Sequence, residues 1–362
     1  MNDFEEYIRQ GEPQKREKGY AWQTAIGLQA VDDLKTSDYL IQTARQHIEG
    51  DITIEEAKQL IDNYYQSKTV RAKVEDRTEE ADKVSARIAE ILSENSFTFS
   101  PVEYINIHRR LFQGIYKFAG KVRDYNITKK EWVLKGETVL YASADSIRET
   151  LDYDFSQEKT FSYKDLNIND AITHIARFIS GVWQIHAFGE GNTRTTAVFT
   201  IKYLRTFGFD ISNEAFANHS WYFRNALVRA NYNNLSKGIY ATTDFIEAFF
   251  RNLILSENNE LRNRNMLVLE KASTEIQSAN LKKKDNSKGN ICTLNCTLEE
   301  MAVLNFLREQ PKATQKEIAL HISKSERTVK TITVNLAEKG IIERKNGKRN
   351  GFWEIKNNDL NS

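Results

Sequence analysis

The sequence predicts a mainly α-helical fold with two small β elements and a separate module at the C-terminal end. Only 3 of the 362 residues are proline, and apolar residues recur every three or four positions over long stretches, as one buried helix face requires. A chain of this length can form two or three domains around a sizeable core. Changes in composition divide it into residues 1–94, 95–255, 256–290 and 291–357.

The N-terminal part, residues 1–94, is predicted to be helical after a loose polar arm of about 20 residues. One helix is predicted over residues 34–48, before a glycine that stops it. Thr53 and Glu56 have the spacing of a capping box, which starts the next helix. The highly charged residues 66–95 predict a solvated helix whose later part packs on the following domain.

The central part, residues 95–255, is predicted to hold the main core. Ser100 and Pro101 can start a helix, because proline is favoured in a first turn. Aromatic and β-branched residues around a glycine turn, between Tyr125 and Gly136, predict a short hairpin. Two further helices are predicted from Trp221 to Tyr232 and from Thr243 to Leu255.

A glycine-rich stretch between the hairpin and these two helices is the most informative part of the chain. It reads His186-Ala187-Phe188-Gly189-Glu190-Gly191-Asn192-Thr193-Arg194-Thr195-Thr196-Ala197. An apolar helical run precedes it, and a second helical run begins near Asn192. The first turn of a helix has unpaired backbone N–H groups and a partial positive charge, which together bind anions.

Four residues of this stretch suit phosphate chemistry. Gly191 lets the backbone come close to a ligand, and Arg194 offers a planar set of donors for phosphate. Glu190 is a hard oxygen ligand suited to Mg²⁺ that is shared with phosphate. His186 can accept a proton near neutral pH. The sequence therefore predicts phosphoryl or nucleotidyl transfer.

The stretch resembles the signature of Fic-domain proteins of the Fic/DOC family, His-x-Phe-x-(Asp/Glu)-Gly-Asn-Gly-Arg-x-x-Arg. The resemblance implies a Fic helical core with a small β-hairpin flap, and transfer of AMP from Mg-ATP to a hydroxyl side chain of a target protein. It implies that His186 is the catalytic base and that Glu190 holds Mg²⁺. The nucleotide site that it implies consists of Phe188, Gly189, Glu190, Gly191, Asn192, Thr193 and Arg194.

Three positions depart from the family pattern. Ala187 replaces a frequent proline, and Thr193 replaces the second glycine, so that a Cβ lies beside the phosphate path. Ala197 replaces the final arginine, which in the family grips the outer phosphates of ATP. These differences leave two interpretations open, a working transferase or a Fic fold with altered or little transfer activity.

A second resemblance concerns the segment before the hairpin. Residues 118–123, Phe-Ala-Gly-Lys-Val-Arg, are similar to the family's Gly-x-x-Arg segment ahead of the active-site flap. The resemblance implies that residues 125–141 form this flap and hold a target protein beside the catalytic histidine by strand addition. The alternative is a plain surface hairpin.

The N-terminal part also has a weak likeness to antitoxin-type modules that inhibit Fic proteins. Ile48-Glu49-Gly50 matches the end of their (Ser/Thr)-x-x-x-Glu-(Gly/Asn) motif, but Arg45 stands where Ser or Thr is expected. The arginine with which that glutamate pairs is missing, at Ala197. Either Glu49 has a regulatory role through another residue, such as Arg194, or it is an ordinary glutamate before a helix-ending glycine.

The last two parts differ sharply in composition. Residues 256–290 contain an apolar helical segment and then a polar, basic tail, which predicts a helical linker. Residues 291–357 show three helical patterns and two short strand patterns, an order that resembles a winged helix-turn-helix domain. The third helix would offer Arg327 and Lys330 to a DNA groove, and the wing would offer Lys345, Lys348 and Arg349 to phosphates.

The charge of this module is weak for a DNA-binding protein. From residue 291 onward the chain has twelve Lys and Arg against nine Asp and Glu. The alternative is that the module docks a partner protein or a second copy of the chain, which would make a homodimer. A DNA-binding regulator whose Fic core senses nucleotide, modifies itself or transfers another phosphate-containing group is therefore the second functional hypothesis.

Composition gives few further indications of partners. Lys and Arg number 51 and Asp and Glu 50, so the net charge indicates neither nucleic acid nor membrane. The start of the chain has no apolar core of a signal peptide, and no run of about 18 apolar residues occurs. Cys292 and Cys296 form no zinc pattern. We therefore expect a cytoplasmic protein with reduced thiols and no membrane partner.

Overall fold

The computed structural model describes residues 4–10, 12–67, 73–209, 211, 214–268, 296–346 and 351–356. Helices dominate these residues, and one two-stranded antiparallel sheet lies near the C-terminal end. Within the described ranges, no helix is both long enough and apolar enough to cross a membrane.

The described residues of the N-terminal part form five α-helices. They are α1 (Glu5–Gln10), α2 (Pro13–Gly27), α3 (Asp38–Glu49), α4 (Ile54–Gln66) and α5 (Lys73–Ser93). The predicted loose arm is wrong, because its described residues lie in α1 and α2. This segment is polar on average, but it buries Phe4 at one end and Trp22 at the other. The indole N–H of Trp22 donates to His47 Nδ1 at 2.9 Å, which ties α2 to α3.

The glycine stop and the two caps that the sequence predicts are confirmed, although α3 begins at Asp38 and not at residue 34. Gly50 ends α3 with a φ of 91°, a left-handed conformation that glycine adopts without strain. Thr53 and Glu56 form the capping box at the start of α4, because each side chain accepts from the other residue's backbone N–H. Ser100 caps the following helix, in which Pro101 is the first residue.

Where the structure describes the central part, six α-helices build it. They are α6 (Pro101–Phe112), α7 (Ile147–Thr160), α8 (Ile168–Ile185), α9 (Asn192–Arg205), α10 (Ala215–Ala230) and α11 (Asp244–Leu255). Every residue of α9 from Asn192 to Leu204 is buried, although many are polar. Their hydroxyl groups therefore find partners inside the protein, as in the 3.0 Å bond between Thr196 and Tyr104. This burial makes α9 the centre of the core.

The predicted hairpin strands between Tyr125 and Gly136 are wrong. The segment is extended chain around one 3₁₀ turn, Trp132–Leu134. The turn is closed by backbone bonds of 2.9 Å, from Glu131 N–H to Glu137 O and from Gly136 N–H to Glu131 O. Val133 and Leu134 are buried, so the apolar pattern anchors a loop on the core instead of forming a ladder.

The C-terminal part follows the predicted order of three helices and two strands. Its elements are α12 (Leu298–Glu309), α13 (Gln315–His321), α14 (Glu326–Glu338), β1 (Ile342–Lys345) and β2 (Phe352–Ile355). Ile342 pairs with Ile355 and Lys345 with Phe352. Cys292, Lys348 and Arg349 lie outside the described residues.

The predicted helical linker is only partly described. Residues 256–268 contain a 3₁₀ turn, Asn263–Met266, where a longer helical segment was predicted. Val268 N–H donates to Val133 O at 2.9 Å, so the chain there is fastened to the loop that follows α6. Residues 269–290 lie outside the described ranges.

The C-terminal part packs on the rest of the molecule. The side chain of Asn305 donates to Ile254 O at 3.0 Å, and Arg16 pairs with Glu309 at 3.2 Å. Gly208 follows α9 and lies so close to Ile322 that a Cβ would be 2.8 Å from the isoleucine Cβ. Contacts thus join this part to α2, to the segment after α9 and to α11.

Candidate functional site

The predicted site lies in the loop that joins α8 to α9. His186 ends α8 with a φ of 51°, and its N–H donates to Trp183 O at 3.0 Å. This left-handed residue turns the chain out of the helix. The loop then leads to Gly191, which caps the start of α9. The helix-turn-helix arrangement predicted from the sequence is present.

The ring of His186 is buried and unpaired. Its side chain lies between the ring of Tyr141, at 4.2 Å, and the perpendicular ring of Trp183, at 5.5 Å. Neither ring nitrogen has a hydrogen-bond partner among the described residues. Burial, and then the positive charges of Lys129, Arg123 and Arg224, hold the pKa of His186 well below its ordinary value. The ring is therefore neutral at pH 7 and has a nitrogen free to accept a proton.

Phe188 and Asn192 hold the loop in shape. The Asn192 carboxamide accepts from Phe188 N–H at 3.0 Å and donates to Phe188 O at 2.7 Å. The ring of Phe188 stacks on that of His108, with centroids 3.7 Å apart. Phe188 is fully buried and thus anchors the loop in the core. The Asn192 carboxamide is therefore bonded to the backbone of its own loop at both its oxygen and its nitrogen.

His108 is a site residue that the sequence did not reveal, because an isolated histidine in α6 is usually a packing residue. Its Nδ1 accepts from Gly120 N–H at 2.9 Å, so Nε2 carries the proton and donates to Glu190 O at 3.0 Å. Burial lowers its pKa to about 4, which keeps this arrangement neutral. His108 therefore links α6, the segment before the flap and the predicted site loop.

Glu190, the predicted metal ligand, has the only acidic side chain of the motif. It is 54% exposed and pairs with Lys129 of the flap segment at 2.9 Å. The described residues contain no group of three or more His, Cys, Asp or Glu that could hold a metal ion. One carboxylate fits Mg²⁺ that keeps waters and takes nucleotide phosphates as further ligands.

The start of α9 requires glycine at position 191 for two reasons. Gly191 has a φ of 79°, and a Cβ there would lie 2.4 Å from Cε2 of Phe112. Among the described residues, no hydrogen bond uses the backbone N–H groups of Asn192, Thr193 and Arg194. These groups form the anion-binding helix N-terminus that the sequence predicts.

Gly189 and Thr193 complete the loop. A Cβ at Gly189 would lie 2.7 Å from the hydroxyl oxygen of Tyr125, which places the end of the flap over the loop. The hydroxyl of Thr193 accepts from the indole N–H of Trp183 at 3.0 Å. Thr193 therefore joins α9 to α8, and its hydroxyl is engaged by this bond.

Arg194 lies in a different environment from the one predicted. Its side chain is only 1% exposed and pairs with Asp32 at 2.8 Å and with Glu80 at 2.6 Å. Burial alone would lower its pKa, but Asp32, Tyr116 and Glu80 outweigh this effect, so the pKa is raised. The predicted phosphate-binding guanidinium is therefore already engaged by the N-terminal part.

Arg123 fixes the site from the side of the flap. Its guanidinium donates to the carbonyl oxygens of His186, Tyr125 and Ala142, at 2.8, 2.6 and 2.5 Å. The backbone N–H of Arg123 donates to Ala187 O at 2.9 Å. The Gly-x-x-Arg likeness was the sequence signal for this residue, although it did not indicate the bonds. Arg123 fastens both ends of residues 125–141 to the loop that carries the predicted base.

A buried ion pair holds the middle of the flap. Glu131 is 1% exposed and pairs with Arg224 of α10 at 2.7 Å. The same carboxylate accepts from the hydroxyl of Tyr141 at 3.1 Å. Because the Tyr141 ring lies against His186, the pair also fixes one wall of the histidine pocket.

Comparison with known proteins agrees with this geometry over the central part of the chain. The family model described as Fic/DOC family matches residues 98–204, from the start of α6 to the end of α9. The chain contains a Fic/DOC family domain. Fic domains generally transfer nucleotidyl groups, so this domain suggests AMPylation or a related nucleotide transfer.

A crystal structure of a Fic family protein from Desulfovibrio desulfuricans G20 is similar, with a TM-score of 0.40 and 12% identity over 99% of this chain and 95% of that chain. No curated protein matches the sequence.

The structure does not bring Glu49 to the motif of the Fic domain. Glu49 pairs with Lys15 at 2.5 Å, and its carboxylate also accepts from Tyr7, so that its pKa is lowered. The acids that contact Arg194 are Asp32 and Glu80 instead. The contact between Glu49 and Arg194 that the sequence analysis considered is therefore absent, because α3 ends beside α1 and α2.

Proposed function

We propose that the protein is an adenylyltransferase that moves AMP from Mg-ATP to a hydroxyl side chain of a target protein. The observation that carries the proposal is the pocket of His186, a neutral buried imidazole with two unpaired ring nitrogens. It lies one short loop away from a helix N-terminus whose N–H groups are free. A base and an anion site are thus adjacent, as nucleotidyl transfer requires.

In this proposal His186 removes the proton from the target hydroxyl. The hydroxyl oxygen attacks the α-phosphorus of ATP, a new phosphorus–oxygen bond forms, and the bond to the bridging oxygen breaks. Pyrophosphate leaves with the electron pair of that bond. The low pKa of His186 keeps the base unprotonated at neutral pH, at the cost of a weaker pull on the proton.

The backbone at the start of α9 is the main phosphate-binding element of the proposed site. The N–H groups of Asn192, Thr193 and Arg194 supply donors and the positive end of the helix dipole. Mg²⁺ held by Glu190 would neutralise part of the phosphate charge. The side chains of Thr193 and Arg194 already have partners within the protein, so the proposed site does not use them for direct phosphate contacts.

The flap, residues 125–141, is the proposed docking site for the target protein. Its internal backbone bonds lie within residues 131–137, so N–H and C=O groups of the extended chain outside this turn can pair with a target strand. Trp132 and Leu140 are 49% and 83% exposed, and both can contact side chains of the target. Arg123 and Glu131 would keep the flap in place while a target binds.

The test uses ATP labelled at the α-phosphate and, separately, at the γ-phosphate, with Mg²⁺ and a cell lysate. The proposal predicts protein label from the α-position only, and its loss in His186→Ala. Label from the γ-position alone would mean phosphorylation and would refute AMP transfer. A His186→Ala protein that melts at the wild-type temperature shows that the loss is chemical.

A second candidate function is DNA binding by the C-terminal part, which would make the chain a regulator with a nucleotide-sensing or self-modifying Fic domain. Arg327 and Lys330 are exposed on α14, the third helix of a unit whose elements have the order of a winged helix. Four other basic residues there, Lys324, Lys339, Lys345 and Lys356, pair with glutamates.

A gel shift with the full chain and mixed genomic fragments tests this candidate. Binding that weakens steeply with salt, and that is lost in Arg327→Ala with Lys330→Ala, would support it. No shift at low salt would refute it. A concentration-dependent dimer that the same two changes abolish would instead assign the α14 surface to contacts between copies.

A further inference from the structure

Each nitrogen of the Arg194 guanidinium contacts a group inside the protein. Besides the ion pairs with Asp32 and Glu80, its guanidinium donates to Gln29 Oε1 at 3.1 Å and to the Tyr116 hydroxyl at 3.2 Å. Its face lies 4.8 Å from the centre of the Phe112 ring. The contact to Asp32 is a close ion pair without the alignment of a hydrogen bond. A buried guanidinium surrounded in this way has little capacity left for a ligand.

The charges around Arg194 oppose the approach of a phosphate. Two carboxylates, from Asp32 and Glu80, face one guanidinium, and both are themselves largely shielded from water. A phosphate could reach Arg194 only by displacing one of these carboxylates or by coming close to it. Both events are costly, because an unpaired or repelled charge in a buried site loses the compensation of water.

The N-terminal helices are also bonded to other parts of the Fic domain. Lys202, near the end of α9, donates to Ile91 O at 3.2 Å, and Arg87 donates to Leu111 O at 2.9 Å. Gly27 lies so close to α10 that a Cβ would be 2.3 Å from Ala217 O. The N-terminal helices therefore contact both ends of α9 and also α6 and α10.

We infer that Arg194 is a positioning residue that fastens the first turn of α9 to Asp32 and Glu80, and not a ligand of the nucleotide phosphates. Residues 4–67 and 73–94 are then a permanent part of the catalytic unit and not a removable inhibitor. The inference rests on the proposed function only where it concerns the rate of transfer. Its core is that the acids hold the N–H groups of residues 192–194 in place.

Variants that neutralise Asp32 and Glu80 distinguish this inference from the alternative, in which Arg194 binds phosphate. If Arg194 is a phosphate ligand that the acids hold back, Asp32→Asn and Glu80→Gln release it, so ATP binds more tightly and transfer rises. If Arg194 is a positioning residue, the same changes loosen the start of α9. The turnover then falls by about tenfold or more, and ATP binds no more tightly than in the wild type.

The chain offers a matched control for each variant. Asp33 follows Asp32 and is exposed, and Glu79 precedes Glu80 on α5 and pairs with Lys83. Asp33→Asn and Glu79→Gln remove the same charge from the same elements, and we expect both to keep wild-type turnover and ATP binding. Arg194→Lys restores a cation and should recover part of the turnover that Arg194→Ala loses.

The decisive readout is hydrogen exchange of the backbone N–H groups at residues 186–194, measured without nucleotide together with the ATP dissociation constant from calorimetry. We expect exchange there to be faster in Asp32→Asn and Glu80→Gln than in Asp33→Asn and Glu79→Gln, and ATP binding no tighter than in the wild type. Unchanged exchange, or ATP that binds severalfold more tightly, would overturn the inference.

These two measurements distinguish failure of the inference from failure of the proposed function. Exchange is read on the protein alone, so it remains informative if no AMP transfer is found. If Glu80→Gln melts below the assay temperature, Asp32→Asn supplies the readout, since Asp32 is the more exposed of the two acids.

Discussion

At the scale of single residues, three histidines are buried without their charge, two of them at the site. His47, His108 and His186 all have lowered pKa values, with burial as the largest cause, and those of His47 and His108 are about 4. Each is useful because it is neutral. His108 acts through its fixed tautomer, and His186 offers a free nitrogen as the proposed base.

This property predicts how stability depends on pH. The unfolded chain binds protons on these histidines below a pH of about 6.5, whereas the folded chain binds them only at lower pH. Stability should therefore fall as the pH drops from about 6.5 toward 4. Thermal melting at several pH values measures this loss. For each protein, the fall in melting temperature is taken from its own value at pH 8, and this fall should be smaller in His108→Gln than in the wild type. An equal pH dependence in the two proteins would contradict the burial of a neutral His108.

Lys129 gives a second prediction at this scale. Its ammonium group pairs with Glu190, where Mg²⁺ is expected, so the cation of the flap and the metal compete for one carboxylate. Both side chains are partly exposed, so the pair is weak. We expect Lys129→Ala to lower the Mg²⁺ concentration that half-saturates ATP binding by about twofold to fivefold. Lys130→Ala, the exposed neighbour, should leave it unchanged, and an equal response of the two variants would refute the competition.

Gly191 gives a third prediction at the residue scale. Alanine there meets a positive φ and the ring of Phe112, whereas Gly114 has a similar φ of 76° and no atom near its missing Cβ. Gly191→Ala should therefore cost about 1–3 kcal/mol more in unfolding free energy than Gly114→Ala. Denaturant unfolding of both variants measures the difference, and equal losses would mean that the Phe112 contact is relaxed easily.

At the scale of elements, the flap is the part whose structure differs most from the sequence prediction. Its β-branched and aromatic residues were typical of a hairpin, but Val133 and Leu134 are core residues and Glu131 is turned inward to Arg224. The sequence contains no sign that an acidic residue there is buried, since its partner is 93 positions away. The turn between α8 and α9, by contrast, could be predicted from local signals such as the glycine at position 191.

The buried pair makes a prediction about this element. Glu131→Gln leaves Arg224 without its charge partner and leaves one acceptor oxygen to be shared by Arg224 and the hydroxyl of Tyr141, so the wall beside His186 loosens. We expect a loss of about 2–3 kcal/mol in unfolding free energy and slower transfer. Glu137→Gln is the matched control, because Glu137 lies on the same turn and pairs with Lys237 at the surface. Equal melting temperatures for the two variants would exclude a structural role of the Glu131 pair.

At the scale of the whole molecule, the N-terminal helices and the Fic domain share one core around α9. The helical fold, most helix limits and the order of the C-terminal elements could be predicted, because periodicity, caps and glycine stops are local. The role of Arg194 could not, because its acids lie 114 or more positions earlier in the chain and nothing near them marks the contact. The polar start of the chain misled prediction for the same reason, since Phe4 and Trp22 are buried by distant helices.

The most direct test of the proposed AMP transfer is a mass measurement on the modified protein. A lysate is incubated with the full chain, Mg²⁺ and equal amounts of ordinary ATP and ATP with ¹³C-labelled ribose, and its peptides are then sequenced. We predict peptides that carry AMP on Ser, Thr or Tyr as isotope pairs, and their absence with His186→Ala. No isotope pairs, or pairs that persist in His186→Ala, would contradict the account.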